Sequence, residues 1–225
     1  MSQNSLLENY TVVVTEEQTK GRGQQANSWV SEPFKNLTMS VFINGFNLAI
    51  HHQKYLNFAI SLAIFDVLSA KEIKNISIKW PNDILSANKK ICGILVENSI
   101  RSTEISASIV GIGLNVNQIK FPNSLEKASS LKKITDIHYN LDLLLLEIIA
   151  KIKERVQLVK AKKYSALEQD YLRVLYKKNI PTMFRNSQDV LFMGIIKGIS
   201  STGNLLVELE DETIKEFTLK EISIA

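Results

Sequence analysis

The sequence is poor in the residues that build metal sites and covalent frameworks. It has one cysteine, Cys92, so an intramolecular disulfide is excluded, and three histidines, His51, His52 and His138, which fall in no metal-ligand spacing and are assigned no role. Cys92 lies in the apolar run 91–96 with no histidine near it in sequence, so it reads as a buried strand thiol and not as a nucleophile. No run of about 18 uninterrupted apolar residues occurs, and the first residues carry neither a basic nor a long apolar signal region, so a cytoplasmic chain with no membrane span is expected. Charge of one sign is also lacking: 27 basic residues face 23 acidic ones, and the net +4 is spread along the chain. That balance suits acidic small molecules or an acidic partner protein better than nucleic acid, which selects a concentrated basic stripe. The phosphate-loop signature G-x-x-x-x-G-K-S/T is absent, so ATP would not be held by a Walker-type loop.

What is present is a 225-residue chain, 45% apolar, long enough to bury a full core. Residues 10–15 (YTVVVT) are β-branched and read as a buried strand that feeds a polar loop, 16–35. Strands are expected at 37–43, 76–80 and 106–114, with a hairpin over 84–97. Residues 56–68 (LNFAISLAIFDVL) show helical spacing with an almost wholly apolar surface, the mark of a core helix. Residues 141–171 fit one or two helices covering the sheet. From about residue 179 the character changes to short strands at 190–197, 205–209 and 213–219, the pattern of a small barrel of hairpins. A boundary is placed near Lys178, giving units 1–178 and 179–225.

Two strings carry the chemistry. The first is Gly21-Arg22-Gly23-Gln24-Gln25-Ala26, which formally fits the dinucleotide fingerprint G-x-G-x-x-A but neither leaves its strand at once nor opens a helix. It reads either as a solvated loop or as glycines that admit an anion to backbone amides while Arg22 supplies a fixed charge. Trp29 in the same loop reads as an anchor that packs the loop down, as a cover for an adenine or a ligand's fused rings, or as both. The second string is Lys79-Trp80-Pro81-Asn82-Asp83, with Lys90-Ile91-Cys92-Gly93-Ile94-Leu95 beyond a turn. Lys90 is either a solubility lysine or one that leans back over the sheet toward Asn82 and Asp83. Asp83 is either a turn cap after proline or a carboxylate that orients the lysine or helps hold Mg²⁺. Gly111 and Gly113 leave one strand face bare for a close approach, and Asn115 and Asn117 after them either close the strand or, in the case of Asn115, read an adenine edge or a phosphate.

The order of these strings resembles the biotin protein ligases over residues from about Tyr10 to the C-terminus. The resemblance implies an α+β fold, a mixed β-sheet with flanking helices followed by a small SH3-like β-barrel. It implies that ATP and Mg²⁺ are used to turn biotin into biotinyl-AMP, and that the acyl group passes to a lysine of a biotin carboxyl carrier protein, with a homodimer through sheet edges. By the same resemblance Arg22, Lys90 and Asp83 are catalytic; Gln18, Gly21, Arg22, Gly23, Gln24, Lys90, Gly93 and Leu95 bind biotin; and Arg22, Trp29, Asn82, Lys90 and Asn115 serve the nucleotide, with Asp83 the candidate Mg²⁺ ligand. Residues 24–29 would close over the mixed anhydride. Three departures from the family pattern set expectations of their own. No Ser-Thr-Asn helix start precedes the Tyr10 strand, so a shortened N-terminus with weak biotin affinity is expected. Gln24 replaces a frequent arginine, which would loosen adenylate retention, and Ala26 replaces a common glycine, which would stiffen the loop. With no winged-helix segment ahead of the sheet, a ligase and not a DNA-binding repressor is expected. A binder without chemistry and a lipoate or other acyl-acid ligase are the competing readings.

Overall fold

In the computed structural model, which describes residues 7–23 and 28–225, the β-branched stretch becomes β1 (Val12–Thr15), and the polar loop carries a short antiparallel pair, β2 (Gly21–Arg22) and β3 (Ser28–Trp29). Next come β4 (Leu37–Ala49), α1 (Gln53–Ala70), β5 (Ile76–Lys79), β6 (Asp83–Ser86), β7 (Lys89–Arg101) and β8 (Glu104–Leu114). Three helices follow, α2 (Leu131–Thr135), α3 (Leu141–Lys160) and α4 (Tyr164–Arg173). The chain ends in β9 (Pro181–Asn186), β10 (Leu191–Ile199), β11 (Leu205–Leu209), β12 (Ile214–Phe217) and β13 (Ile222–Ile224).

Six strands form one sheet in the order β1-β4-β8-β7-β6-β5. Every pairing in it is antiparallel, which corrects the mixed sheet that the resemblance implied. The reason lies in the connections: hairpins join β5 through β8, and α1 carries the chain from β4 to the far edge, so no two adjacent strands are joined by the crossover that parallel pairing needs. Parallel contact is confined to isolated bridges such as Ile78–Leu175. α1 is apolar nearly all round because it lies between layers, against β5 and β6 on one side and α3 and α4 on the other. Its Leu56, Ala59, Ile60, Ala63 and Ile64 are wholly buried, and each such Leu or Ile contributes about 1.5–3 kcal/mol relative to exposure. Arg155 of α3 fastens the helical layer: its Nε donates to Asp66 Oδ2 at 2.8 Å, Nη2 to Asp66 Oδ1 at 3.0 Å and Nη1 to Asp170 Oδ2 at 2.6 Å, which joins α3 to α1 and α4.

The five C-terminal strands form a second antiparallel sheet in the order β12-β11-β10-β9-β13. A closed barrel was expected; among the described residues no pairing joins β12 to β13, and the sheet is open because β13 returns to pair with β9. Two clasps hold this sheet to the rest. Lys54 of α1, only 8% exposed, donates to Ser200 O at 2.9 Å and to Glu168 Oε1 at 3.1 Å, and Trp80 Nε1 donates to Gly203 O at 2.9 Å. Among the described residues no helix is long and apolar enough to cross a membrane.

Candidate functional site

A cavity of about 460 Å³ opens on the sheet face opposite the helices. Its floor follows from strand alternation: Cys92 and Ile94 on β7, and Ile112 and Leu114 on β8, are buried in the core, so Gly93 and Gly113 between them face the other way. These two glycines are partners in register, and without side chains they leave a shallow bed. Trp29 fills it. A Cβ added at Gly113 would stand 2.5 Å from Trp29 Cε2, and one at Gly93 would stand 3.2 Å from Trp29 Cζ3 and 3.2 Å from Lys90 Cε. The loop is shaped for this by Gly21, where an added Cβ would meet the Trp29 carbonyl oxygen and stand 2.8 Å from Gln18 Oε1, so only glycine fits. The anchor reading of Trp29 therefore describes the structure, and its Nε1 is buried with no partner among the described residues.

At the rim of the bed lies a charged pair. Lys90 Nζ is 2.6 Å from Asp83 Oδ1 and 5.8 Å from the centre of the Trp29 ring, so the lysine does lean back over the sheet toward the start of β6. Both side chains are partly exposed, which makes the pair a positioning contact more than a source of stability. Lys79, across the ladder from Asp83, lines the same cavity, and burial lowers its pKa from the ordinary lysine value, with Asp83 opposing that shift. Arg22 is largely exposed, its Nη2 3.8 Å from Glu97 Oε2. Cys92 is wholly buried and burial pushes its thiol far above the ordinary range, in keeping with a structural role.

The structure brings most of the expected residues together: Gln18, Arg22, Gly23, Trp29, Asn82, Asp83, Lys90, Gly93 and Leu95 all line the cavity. Gln24 and Ala26, together with most of the proposed closing segment, lie outside the described residues. Two asparagines behave differently from a ligand-reading group. Asn82 is buried, and its amide donates to the carbonyl of Ile94, clamping β6 onto β7 beside Asp83. Asn115 is 3% exposed and does not line the cavity; its Nδ2 donates to Ser129 O at 3.0 Å, and Ser129 N–H donates to Lys90 O at 2.9 Å. Asn115 thus braces the backbone of Lys90 from within the core. Sequence reasoning missed Tyr176 and the C-terminal strand residues Ile222, Ser223 and Ile224, which also line the cavity; no local motif marks them, because the fold brings them there.

Fold and site together define an α+β protein with a glycine-floored cleft, rimmed by lysine and arginine, that is suited to an anionic ligand with an apolar ring. Residues 2–115 match the model of the biotin/lipoate A/B protein ligase family, and the chain belongs to that family. It is 28% identical over 218 residues to the bifunctional ligase/repressor BirA of Bacillus spizizenii, covering 95% of this chain and 66% of that protein. It is 30% identical over 110 residues to a biotin–[acetyl-CoA-carboxylase] ligase of Mycobacterium tuberculosis, covering 48% of this chain and 40% of that one. The chain thus spans less than two thirds of the length of these curated relatives. Among solved structures, the biotin protein ligase from Aquifex aeolicus in complex with biotin and ATP superposes with a TM-score of 0.78 at 27% identity, over 97% of this chain and 90% of that one.

Proposed function

We propose that this protein is an ATP-dependent ligase that converts biotin to biotinyl-AMP and passes the acyl group to a lysine of a biotin carboxyl carrier protein. The observation that carries the reading is the Lys90–Asp83 pair held at 2.6 Å above the Gly93–Gly113 bed, in a chain that shares its fold with a ligase bound to biotin and ATP. In the first step two anions must meet, a carboxylate and the α-phosphate. Lys90 and Arg22 offset their repulsion and the charge that grows in the transition state. Gln18, Gly21, Gly23, Gly93 and Leu95 shape the biotin side, Gln24 belongs to the same loop, and Trp29 either covers the bound rings or moves aside for them. Asn82 and Asn115 serve the nucleotide at one remove, by fixing the backbones of Asp83 and Lys90. Ligase unit 1–178 and C-terminal unit 179–225, the latter of SH3-like character, belong to the same reading, as does pairing of two copies through the open edge of β1, where Val13 and Val14 are exposed.

Among the described residues no three His, Cys, Asp or Glu side chains gather to hold a metal. The donor set instead fits a magnesium ion carried in on nucleotide phosphates, which needs only one or two carboxylates and waters; Asp83 would supply one, and the ion would neutralise phosphate charge. The test of the reading is Lys90→Ala. Biotin-dependent exchange of pyrophosphate into ATP should fall by about 100-fold or more while the circular dichroism spectrum is unchanged, and a fully active variant would refute the assignment.

A further inference from the structure

The cleft holds more positive charge than the carboxylate and α-phosphate require. Lys79 ends β5 opposite Asp83, and its backbone neighbourhood is pinned from both sides: Ile78 N–H donates to Val174 O at 2.9 Å, and Tyr176 N–H donates to Ile78 O at 2.8 Å. That places the turn bearing Lys177 alongside it, with Lys177 Nζ 5.7 Å from the Tyr176 ring and Tyr176 Oη donating to Asn88 Oδ1 at 2.9 Å. From the other direction, Lys90 N–H donates to Lys127 O at 2.7 Å, which sets the Lys127 backbone beside that of Lys90. Asp83 is engaged by Lys90, and Lys79 Nζ has no hydrogen-bond or ion-pair partner among the described residues. Burial lowers the Lys79 pKa, Asp83 raises it, and Lys127, Lys90 and Lys177 lower it further. Lys79 therefore feels three further lysines against one carboxylate, an excess of positive charge that a bound polyanion would relieve.

We propose that Lys79, within the field of Lys127 and Lys177, receives the pyrophosphate that leaves in the adenylation step. The inference rests on the adenylating reading above and deepens it. In that step a carboxylate oxygen bonds to the α-phosphorus, the bond from that phosphorus to the bridging oxygen breaks, and its electron pair departs with pyrophosphate. Negative charge therefore grows on the leaving oxygen, and Lys90 lies at the attacking side, over Trp29 and Gly93. Lys79, on the other side of Asp83, is placed for the leaving side.

The experiment is pyrophosphate exchange on Lys79→Met, which keeps the aliphatic stem, with Lys79→Arg beside it. The half-saturating pyrophosphate concentration should rise about tenfold or more in the methionine variant, as expected for loss of a charge-assisted hydrogen bond. Half-saturation by biotin should stay within about twofold, and the arginine variant should recover most of the loss. Unchanged pyrophosphate dependence would overturn the proposal, and so would a defect confined to transfer onto an acidic carrier. If the parent chain shows no biotin-dependent exchange, it is the ligase reading that fails. A second measurement needs neither catalysis nor a folded variant: NMR titration of the reductively ¹³C-methylated full chain. Inorganic pyrophosphate should move the Lys79 resonance toward a higher pKa, whereas no response, or an equal response to sulfate, would overturn the assignment.

Discussion

Replacing Gly113 with alanine probes the bed on which the site is built. The new Cβ would stand 2.5 Å from Trp29 Cε2 and 2.6 Å from Cζ2, so the indole must retreat by about 1 Å to reach ordinary carbon contact. It cannot slide along the sheet, because Gly93 and the Lys90 stem close the neighbouring space. Two responses remain. Forcing the methyl into place costs about 1–3 kcal/mol as overpacking. Lifting β3 instead forfeits about half of an aromatic's buried area of roughly 150–250 Å², or about 2–3 kcal/mol at 25 cal/mol/Å². The two figures are comparable, so the loop should partly disengage, and the cost should fall on the site before the global fold. Gly111→Ala is the internal control: on the same strand and face, its Cβ would meet Leu95 at an ordinary 3.7 Å. Tryptophan emission and acrylamide quenching, with two tryptophans in the chain, report the displacement. A red-shifted, more quenchable Gly113→Ala beside an unchanged Gly111→Ala is expected, with a weaker half-saturation by biotin in exchange. Identical emission and identical biotin dependence in both variants would refute the packing argument.

Arg155→Met should destabilise the chain by about 2–3 kcal/mol in urea unfolding, because Asp66 and Asp170 would be left facing one another, the cost being tempered by their partial exposure. The Tyr55 hydroxyl is pushed up to about 12 by burial, and then by the charge of Glu168 and the hydrogen bond to it. A folded-state pKa above the unfolded value gives stability that is complete below about pH 10 and lost as pH rises toward 12, so Tyr55→Phe should flatten the alkaline fall in unfolding midpoint between those limits. Cys92, wholly buried with its thiol raised by burial, should not react with a disulfide reagent in the native chain at neutral pH and should react fully in denaturant; rapid native reaction would contradict its place in the core.

Much of the sheet and its helical cover could be read from local pattern. The core helix beginning near Leu56 was legible because periodicity and burial agree there, whereas the β-branched run before residue 15 foretold a strand but not its burial: β1 lies at the sheet edge, with Val13 and Val14 exposed. The strands at 89–101 and 37–49 run beyond their apolar stretches, because the hydrogen-bond ladder between neighbours continues where one or both faces are solvated and the hydrophobic signal has ended. β9 and β13 escaped notice for a related reason: β9 opens on Pro181 and ends in Arg185-Asn186, and β13 is three residues long. At the site, Lys90, Asp83 and Trp29 stood out as residue types unusual for their setting, and geometry then settled how they meet. Asn115 illustrates the limit: the sequence shows an asparagine at a strand end, and only the folded contacts reveal that its amide braces Lys90 from below. Lys79 was legible within a motif, but the lysines that act on it, Lys127 and Lys177, are distant in sequence and meet it only in the fold.

The measurement that tests the central claim most directly is acid-dependent exchange of labelled pyrophosphate into ATP on the full 225-residue chain, with biotin, lipoate and no acid as the three arms. The account predicts exchange with biotin alone, abolished by Lys90→Ala. Exchange with lipoate in preference to biotin, or no exchange with either acid by a correctly folded chain, would contradict it.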